Sequence, residues 1–434
     1  MEITNVEVQL PCWAGHRQID EQLFCQEFGQ IYNLCYTEGA FFCWKGMLPE
    51  EQVRKLIYDS IKPYYSTNLA ARTNRLLENL KMELHRESLP LSDAVILCAN
   101  GAYSVASGQF RSDLPPCRYR LPVNYNEKAP APELWLQFLR DLLEPEDILT
   151  LQEFLGYCLL PINYGQKMLL ILGRGGEGKS RIGVIASKLF GSAMVNGSLT
   201  KLEKNPFARA DLQHRLLMVD DDLQLEALTT TGNIKSIVTA EHNMDLEKKG
   251  IQSYQGQLFC RLMAFGNGNL RALHDRSYGF FRRQIILTTR PRPEDRQDNP
   301  FLALEMAGEL EGILLWCIEG LLRLLENDLH FTISTSAQRN LQEAIQEGNN
   351  ALEFLTSQGY IRLDPEAEIS SRRLYSIYTD WCQDNTLTPL STRSFTAALQ
   401  AESPRFGFTY TNHIAGGNGR YVRGFRGIRS AGMV

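Results

Sequence analysis

Apolar and polar positions along the chain follow two different periods. In the first ninety residues, short aromatic-rich stretches alternate with helical patterns. Val53, Leu56, Ile57 and Ile61 recur at three- and four-residue steps and predict an amphipathic helix, and Arg72 to Arg86 reads as another. From Asp93 the period shortens: Ala94 to Cys98 predicts a strand closed by the turn dipeptide Asn100-Gly101, with Tyr103 to Phe110 returning. Pro115-Pro116 and the Pro- and Asn-rich stretch Asn124 to Pro132 read as a linker. A helical block then carries Trp135, Phe138, Leu139 and Leu142, followed by Leu151, Phe154 and Leu155.

Four apolar runs come next, at Met168–Leu172, Leu216–Val219, Leu262–Phe265 and Ile285–Leu287, and each reads as a buried strand. Ile182, Ile185 and Leu189 place a helix directly after the first run, and Ile313, Trp316 and Leu324 mark a later one. Strands alternating with helices predict an α/β core. From about Gly348 the pattern changes again. Leu352 with Leu355, Leu374 with Tyr378 and Trp381, and Phe395 with Leu399 predict three short amphipathic helices. A hairpin follows, Phe406–Tyr410 returning as Tyr421–Ile428 around Ala415-Gly416-Gly417-Asn418-Gly419. Three helices and a hairpin suggest a winged helix.

The composition, 44% hydrophobic and 22% charged over 434 residues, is that of an ordinary globular chain with room for two or three domains. A net charge of −5 excludes a globally basic nucleic-acid binder but not a local basic track. The ten cysteines contain no C-x-x-C pair and no zinc-like spacing, which suits reduced, buried thiols. Neither a signal peptide nor an apolar run of membrane-spanning length is visible, and the expected location is the cytoplasm.

The candidate chemistry centres on Gly173-Arg174-Gly175-Gly176-Glu177-Gly178-Lys179-Ser180, a G-x-x-x-x-G-K-S sequence between a strand and a helix. In that context Gly173, Gly175, Gly176 and Gly178 let backbone N–H groups turn towards phosphates, and the helix N-terminus adds partial positive charge. Glu177 and Arg181 belong to the same binding stretch. Lys179 can reach the β- and γ-phosphates and the Ser180 hydroxyl can hold Mg²⁺. ATP and Mg²⁺ are therefore the expected cofactors. The second strand ends in Asp220-Asp221-Asp222. Asp220 is expected at the metal and Asp221 at the attacking water, with the register open by one, and the same acids would suit a helix N-cap region. Gly266-Asn267-Gly268-Asn269 ends the third strand, where Asn267 can sense the γ-phosphate or form only a tight turn. Arg282 and Arg283 head the fourth strand, placed either to enter a neighbouring subunit's site or to form structural ion pairs.

This order of loop, acidic strand end, Asn and Arg-Arg within about 110 residues resembles the superfamily 3 helicases of small viruses, phages and plasmids. More narrowly, the chain is similar to the phage/plasmid and poxvirus-type primase-helicase family. Ile234-Lys235-Ser236-Ile237-Val238-Thr239-Ala240-Glu241 and Asp275-Arg276-Ser277-Tyr278-Gly279-Phe280-Phe281-Arg282-Arg283 carry the narrower likeness, which runs over roughly residues 90–430. The resemblance implies a Rossmann-like, AAA+-type ATPase core at 133–345 with a helical lid. It also implies a mixed N-terminal helicase-associated domain at 1–132 and a winged helix at 346–434. It makes Arg283 the finger, with Arg282 as the alternative, and implies a hexameric ring with one β-hairpin per subunit in the pore. The matching hairpin runs from Met244 to Gln257, with Lys248 and Lys249 on its tip as candidates for single-stranded DNA. Arg420, Arg423, Arg426 and Arg429 load the predicted wing with charge and no nearby acid, and would face duplex DNA.

The resemblance further implies replication of a phage, plasmid or integrated element in a bacterial host. With no paired acidic motif in the first ninety residues, primer synthesis would fall to a separate primase. Two other readings stay open: an origin-binding initiator ATPase that melts DNA locally, and an ATP-dependent assembly or defence protein.

Overall fold

The computed structural model describes residues 10–431 apart from 16, 92–93, 224–230, 268–277, 294–297, 349, 386, 388 and 416–420. It divides into two compact units. One holds Met1–Leu223, Gly232–Asn267 and Ile285–Ser334; the other takes in Gly268–Gln284 and Thr335–Val434.

The first unit opens with α1 (Glu21–Ile31), the antiparallel meander β1 (Cys35–Thr37), β2 (Ala40–Cys43) and β3 (Gly46–Leu48), then α2 (Glu50–Ile61) and α3 (Leu69–Glu83). Asp20 caps α1, its Oδ1 accepting the Leu23 N–H at 3.0 Å, so one otherwise orphaned donor is satisfied. Val53, Ile57 and Ile61 of α2 are buried as their spacing predicts and meet Leu76, Leu77 and Leu80 of α3 in a core with Trp13, Phe24 and Phe41.

A second small sheet follows, β4 (Val95–Cys98), β5 (Gly101–Ser104) and β6 (Phe110–Arg111). Asn100 does more than turn the hairpin. Its side chain donates to Tyr125 O and accepts from Tyr125 N, both at 2.9 Å. The Tyr125 ring then stacks on Tyr103 and Phe110 at 4.8 and 5.1 Å. Of the stretch expected to be a linker, residues 124–131 lie outside helices and strands and are largely exposed, whereas the residues between Pro116 and Asn124 are packed. Cys117, Tyr119, Leu121 and Val123 are buried at alternate positions, and the buried Arg120 donates to Cys98 O at 2.8 Å and Gly101 O at 3.0 Å. The prolines at 115, 116 and 122 disguise a period-two pattern.

The α/β core is built from α4 (Glu133–Leu142), α5 (Pro145–Tyr157), β7 (Met168–Gly173), α6 (Ser180–Phe190), β8 (Met194–Asn196), α7 (Leu199–Lys204), α8 (Pro206–Ala210), β9 (Leu217–Leu223) and α9 (Gly232–Thr239). It continues through the hairpin β10 (Met244–Lys248) and β11 (Ile251–Gly256) to β12 (Arg261–Asn267). After α10 (Tyr278–Phe281) come β13 (Gln284–Thr288), α11 (Leu302–Met306) and α12 (Leu310–Glu326). Five strands form one sheet in the order β13-β7-β12-β9-β8, with β7, β12, β9 and β8 parallel. Leu169 to Leu172 and Leu262 to Phe265 are all buried, as unbroken apolar runs require when both sheet faces are covered.

Helices α5 and α12 approach very closely. A Cβ on Gly156 would lie 2.3 Å from Cys317 O, and one on Gly320 would lie 2.5 Å from Gln152 O. Beside this contact the buried Glu153 accepts from Arg323 Nε, Thr332 Oγ1 and Thr332 N, each at 2.7 Å. Glu153→Ala strips three donors of one charged acceptor. It is expected to destabilise the unit by about 3 kcal/mol, seen as a lower denaturation midpoint by circular dichroism.

The second unit contains α13 (Thr335–Gly348), α14 (Asn350–Thr356), β14 (Ile361–Ser370), α15 (Ser371–Asp384), α16 (Thr392–Phe406), β15 (Thr409–Ala415) and β16 (Tyr421–Ser430). Phe354, Leu374, Tyr378, Trp381, Phe395, Leu399, Phe425 and Ile428 share its core, with the Tyr378 and Phe395 rings stacked at 4.0 Å. The three expected helices and the hairpin are all present. What the periodicity does not predict is β14, which pairs antiparallel with β16 and makes the sheet three-stranded, in the order β14-β16-β15. Among the described residues no helix is long and apolar enough to cross a membrane.

Candidate functional site

The loop Gly173–Ser180 joins the C-terminal end of β7 to the first residue of α6. Gly175, Gly176 and Gly178 have φ of +104°, +82° and +108°, a left-handed backbone that side chains disfavour. Gly173 leaves room for the side chains around it: a Cβ there would lie 2.3 Å from Thr289 Oγ1 and 2.8 Å from Lys179 Nζ. Inside the loop the Glu177 side chain is turned inward and is only 3% exposed. Its Oε1 accepts Arg174 N at 2.6 Å, and its Oε2 accepts Gly175 N at 2.9 Å and Lys179 Nζ at 3.0 Å. Burial pushes the Glu177 carboxyl up, but the Lys179 ammonium and the backbone donors outweigh it and hold the acid below its ordinary value. Ser180 is exposed, and Arg181 donates to Asn299 O at 3.0 Å.

The sheet order carries Asn267 to this loop, whereas Asp220, expected at a strand end, lies within β9, which runs on to Leu223. Strand β12 lies between β7 and β9, and Asn267 at its end pairs in register with Gly173. A Cβ on Gly175 would come within 3.9 Å of Asn267 Oδ1. Asp220 stands one strand further, opposite Ala264. It is buried, and its Oδ2 accepts the Leu199 N–H at 2.8 Å at the start of α7. Burial is the main reason its acid is raised from the ordinary value. The register of β9 against β12 shifts just after Asp220, so that Leu223 faces Gly266, and the exposed Asp221 and Asp222 lie in this bulge.

One neighbour of the loop escapes the sequence reading. Arg292, after β13, donates from Nη1 to Gly176 O at 3.4 Å and from Nη2 to Asp298 at 3.0 Å. The loop is thus flanked by Asn267 from β12 and by Arg292 from the chain beyond β13. Arg290-Pro291-Arg292-Pro293 looks like an ordinary basic loop. Only its position after the strand next to β7 marks it.

Arg282 and Arg283 occupy the turn between α10 and β13, within the second unit. Arg282 is exposed, whereas the half-buried Arg283 donates from Nη1 to Gly279 O. Lys248 and Lys249 stand at the tip of the β10–β11 hairpin, where Gly250 has φ of +78°. Lys248 Nζ donates to Gln213 Oε1 at 2.7 Å, which also accepts Tyr254 Oη at 2.9 Å, and the ammonium lies 5.4 Å from the Tyr254 ring.

The hairpin predicted as a wing departs from expectation. Arg426 pairs with Glu368 at 2.6 Å and Arg429 with Asp364 at 3.1 Å, both acids coming from β14. Its arginines are therefore not without nearby acids, and of the four only Arg423 is described as exposed with no such pair; Arg420 lies outside the described residues.

Parts of the chain are similar to known proteins. Residues 14–144 match the family model described as D5 N terminal like. That match supports the primase-helicase resemblance. It also carries the likeness upstream of residue 90. Residues 171–283, from the loop's strand to Arg283, match a family of unknown function (DUF5906). Among solved structures, the apo structure of the NrS-1 C terminal region (305-718) is similar over 94% of this chain and 99% of that one, at 10% identity and a TM-score of 0.50. The A form apo structure of the same region matches over 92% and 98%, at 9% identity and a TM-score of 0.50. At such identities the likeness is one of fold.

Proposed function

We propose that this chain is an ATP-dependent DNA helicase of superfamily 3 type that serves the replication of a phage, plasmid or integrated element. The observation that carries the reading is the pairing of the glycine-rich loop with Asn267 at the C-terminal ends of two adjacent parallel strands. The loop with Lys179 follows β7 and Asn267 ends β12, while the buried Asp220 lies on the next strand, β9, three residues before its last residue.

In this reading ATP phosphates lie along the loop, and Lys179 turns from Glu177 to the β- and γ-phosphates. Asp221, exposed in the bulge, orients the attacking water, and Asn267 reports the γ-phosphate. Mg²⁺ fits the donor set. Ser180 and Asp220 offer hard oxygens, and the ion habitually keeps water and phosphate ligands beyond one or two protein groups. Among the described residues no group of three or more His, Cys, Asp or Glu could hold a metal by itself, so the ion would arrive with the nucleotide. When bound, Mg²⁺ neutralises charge on the phosphates.

Arg282 serves the next subunit of a hexameric ring. Lys248 and Lys249 grip single-stranded DNA in the pore. The second unit, in which α14, α15 and α16 share one core with a three-stranded sheet, acts as a winged helix whose duplex contact rests on Arg423 and Arg420. A separate primase supplies primers.

The test is unwinding of a forked, origin-free DNA with ATP. Wild type is expected to separate the strands. Lys248→Ala/Lys249→Ala is expected to lose at least about tenfold in unwinding while retaining ATP binding, as loss of phosphate contacts implies. ATP hydrolysis without strand separation would shift the assignment to an initiator that needs its own origin. A hairpin variant that unwinds normally would remove the pore role.

A further inference from the structure

The Glu177 carboxylate is folded into its own loop. It takes the N–H groups of Arg174 and Gly175 and the Lys179 ammonium, all at 3.0 Å or less. Backbone N–H groups turned inward by left-handed glycines form an anion nest, and here the anion is supplied by the loop itself. We infer that Glu177 competes with nucleotide phosphate for Lys179 and the loop donors, and so sets how tightly, and in which phosphorylation state, nucleotide is held. This rests on the nucleotide-binding reading above and adds an opposing charge to it.

The physical consequences are specific. A carboxylate within hydrogen-bond reach of Lys179 and a phosphate on the same ammonium are like charges in a partly dehydrated site, and each weakens the other. Nucleotide entry must therefore break the Glu177–Lys179 pair. The penalty grows with ligand charge, so it falls more heavily on ATP than on ADP. The two backbone bonds have a different role: Oε1 takes Arg174 N and Oε2 takes Gly175 N, and together they hold the loop's shape. Substitution separates charge from staple in part. Glu177→Gln keeps length, shape and one of the two acceptor oxygens but removes the charge; Glu177→Ala removes the charge and both acceptors.

The experiment is equilibrium binding of ATP and ADP with Mg²⁺, read by displacement of a fluorescent ATP analogue, on wild type, Glu177→Gln, Glu177→Ala and Lys179→Ala. Glu177→Gln is expected to bind ATP about tenfold more tightly than wild type, with a smaller gain for ADP. Glu177→Ala is expected to fall below the Gln variant, because the staple is lost. If Glu177→Gln binds ATP no better than wild type, or binds it more weakly, Glu177 is only a staple and the competition is overturned. Equal gains for ATP and ADP would overturn the dependence on phosphorylation state. If neither wild type nor Glu177→Gln binds nucleotide, the underlying nucleotide reading fails, and the competition with it.

Discussion

Replacing Arg282 by alanine is expected to lower ATP turnover by about 10³-fold or more, the lower bound for an arginine supplied to phosphoryl transfer from a neighbouring subunit. ATP binding should stay within about twofold of wild type, because the residue's contribution arises as charge spreads in the transition state. The choice of Arg282 over its neighbour follows from geometry. Arg282 is exposed, whereas Arg283 is half-buried and donates to Gly279 O in the preceding helix. Arg283→Ala should therefore act mainly on stability, lowering the melting temperature at near-normal turnover. If Arg283→Ala is the catalytically dead variant at an unchanged melting temperature, the finger has been assigned to the wrong residue.

Lys179→Ala should abolish hydrolysis, with a loss of at least about 10²-fold, the scale seen when one preorganised donor to developing charge is removed. Mixing the two defective proteins gives a sharper result than either alone. In a mixed ring, an Arg282→Ala subunit still has an intact loop, and the Lys179→Ala subunit beside it still has an intact Arg282. Turnover in the mixture should recover well above the sum of the two separate proteins, with a maximum at intermediate ratios. A strictly additive mixture would mean that each active site is complete within one chain, and the composite ring would have to be abandoned.

The loop, the acidic stretch of β9 and Asn267 were legible because each is a local signal: a short motif, or polar residues following an apolar run. The pairing of Asn267 with the loop depends on strand order. Asn267 lies almost a hundred positions from Gly173 in sequence yet pairs with it directly. The features that escaped are non-local. Strand β14 contains Pro365 and a run of exposed acids, which mask it as a strand, and Pro is tolerated there because β14 lies at the edge of its sheet. Missing it also hid the acids that partner Arg426 and Arg429, since Glu368 and Asp364 lie about sixty residues upstream. Glu177 could be counted as one of the loop's residues, but no linear pattern shows that its side chain folds back onto Lys179.

The contact between α5 and α12 constrains how this protein can change over generations. At Gly156 and Gly320 even a methyl group would strike the backbone of the facing helix. Neither position can drift by single neutral steps, because every alternative residue first forces the helices apart. Exchange at one site would become tolerable only after the opposite helix had already shifted. Homologous chains should therefore keep both glycines or lose both together, even where the surrounding surface has diverged beyond recognition.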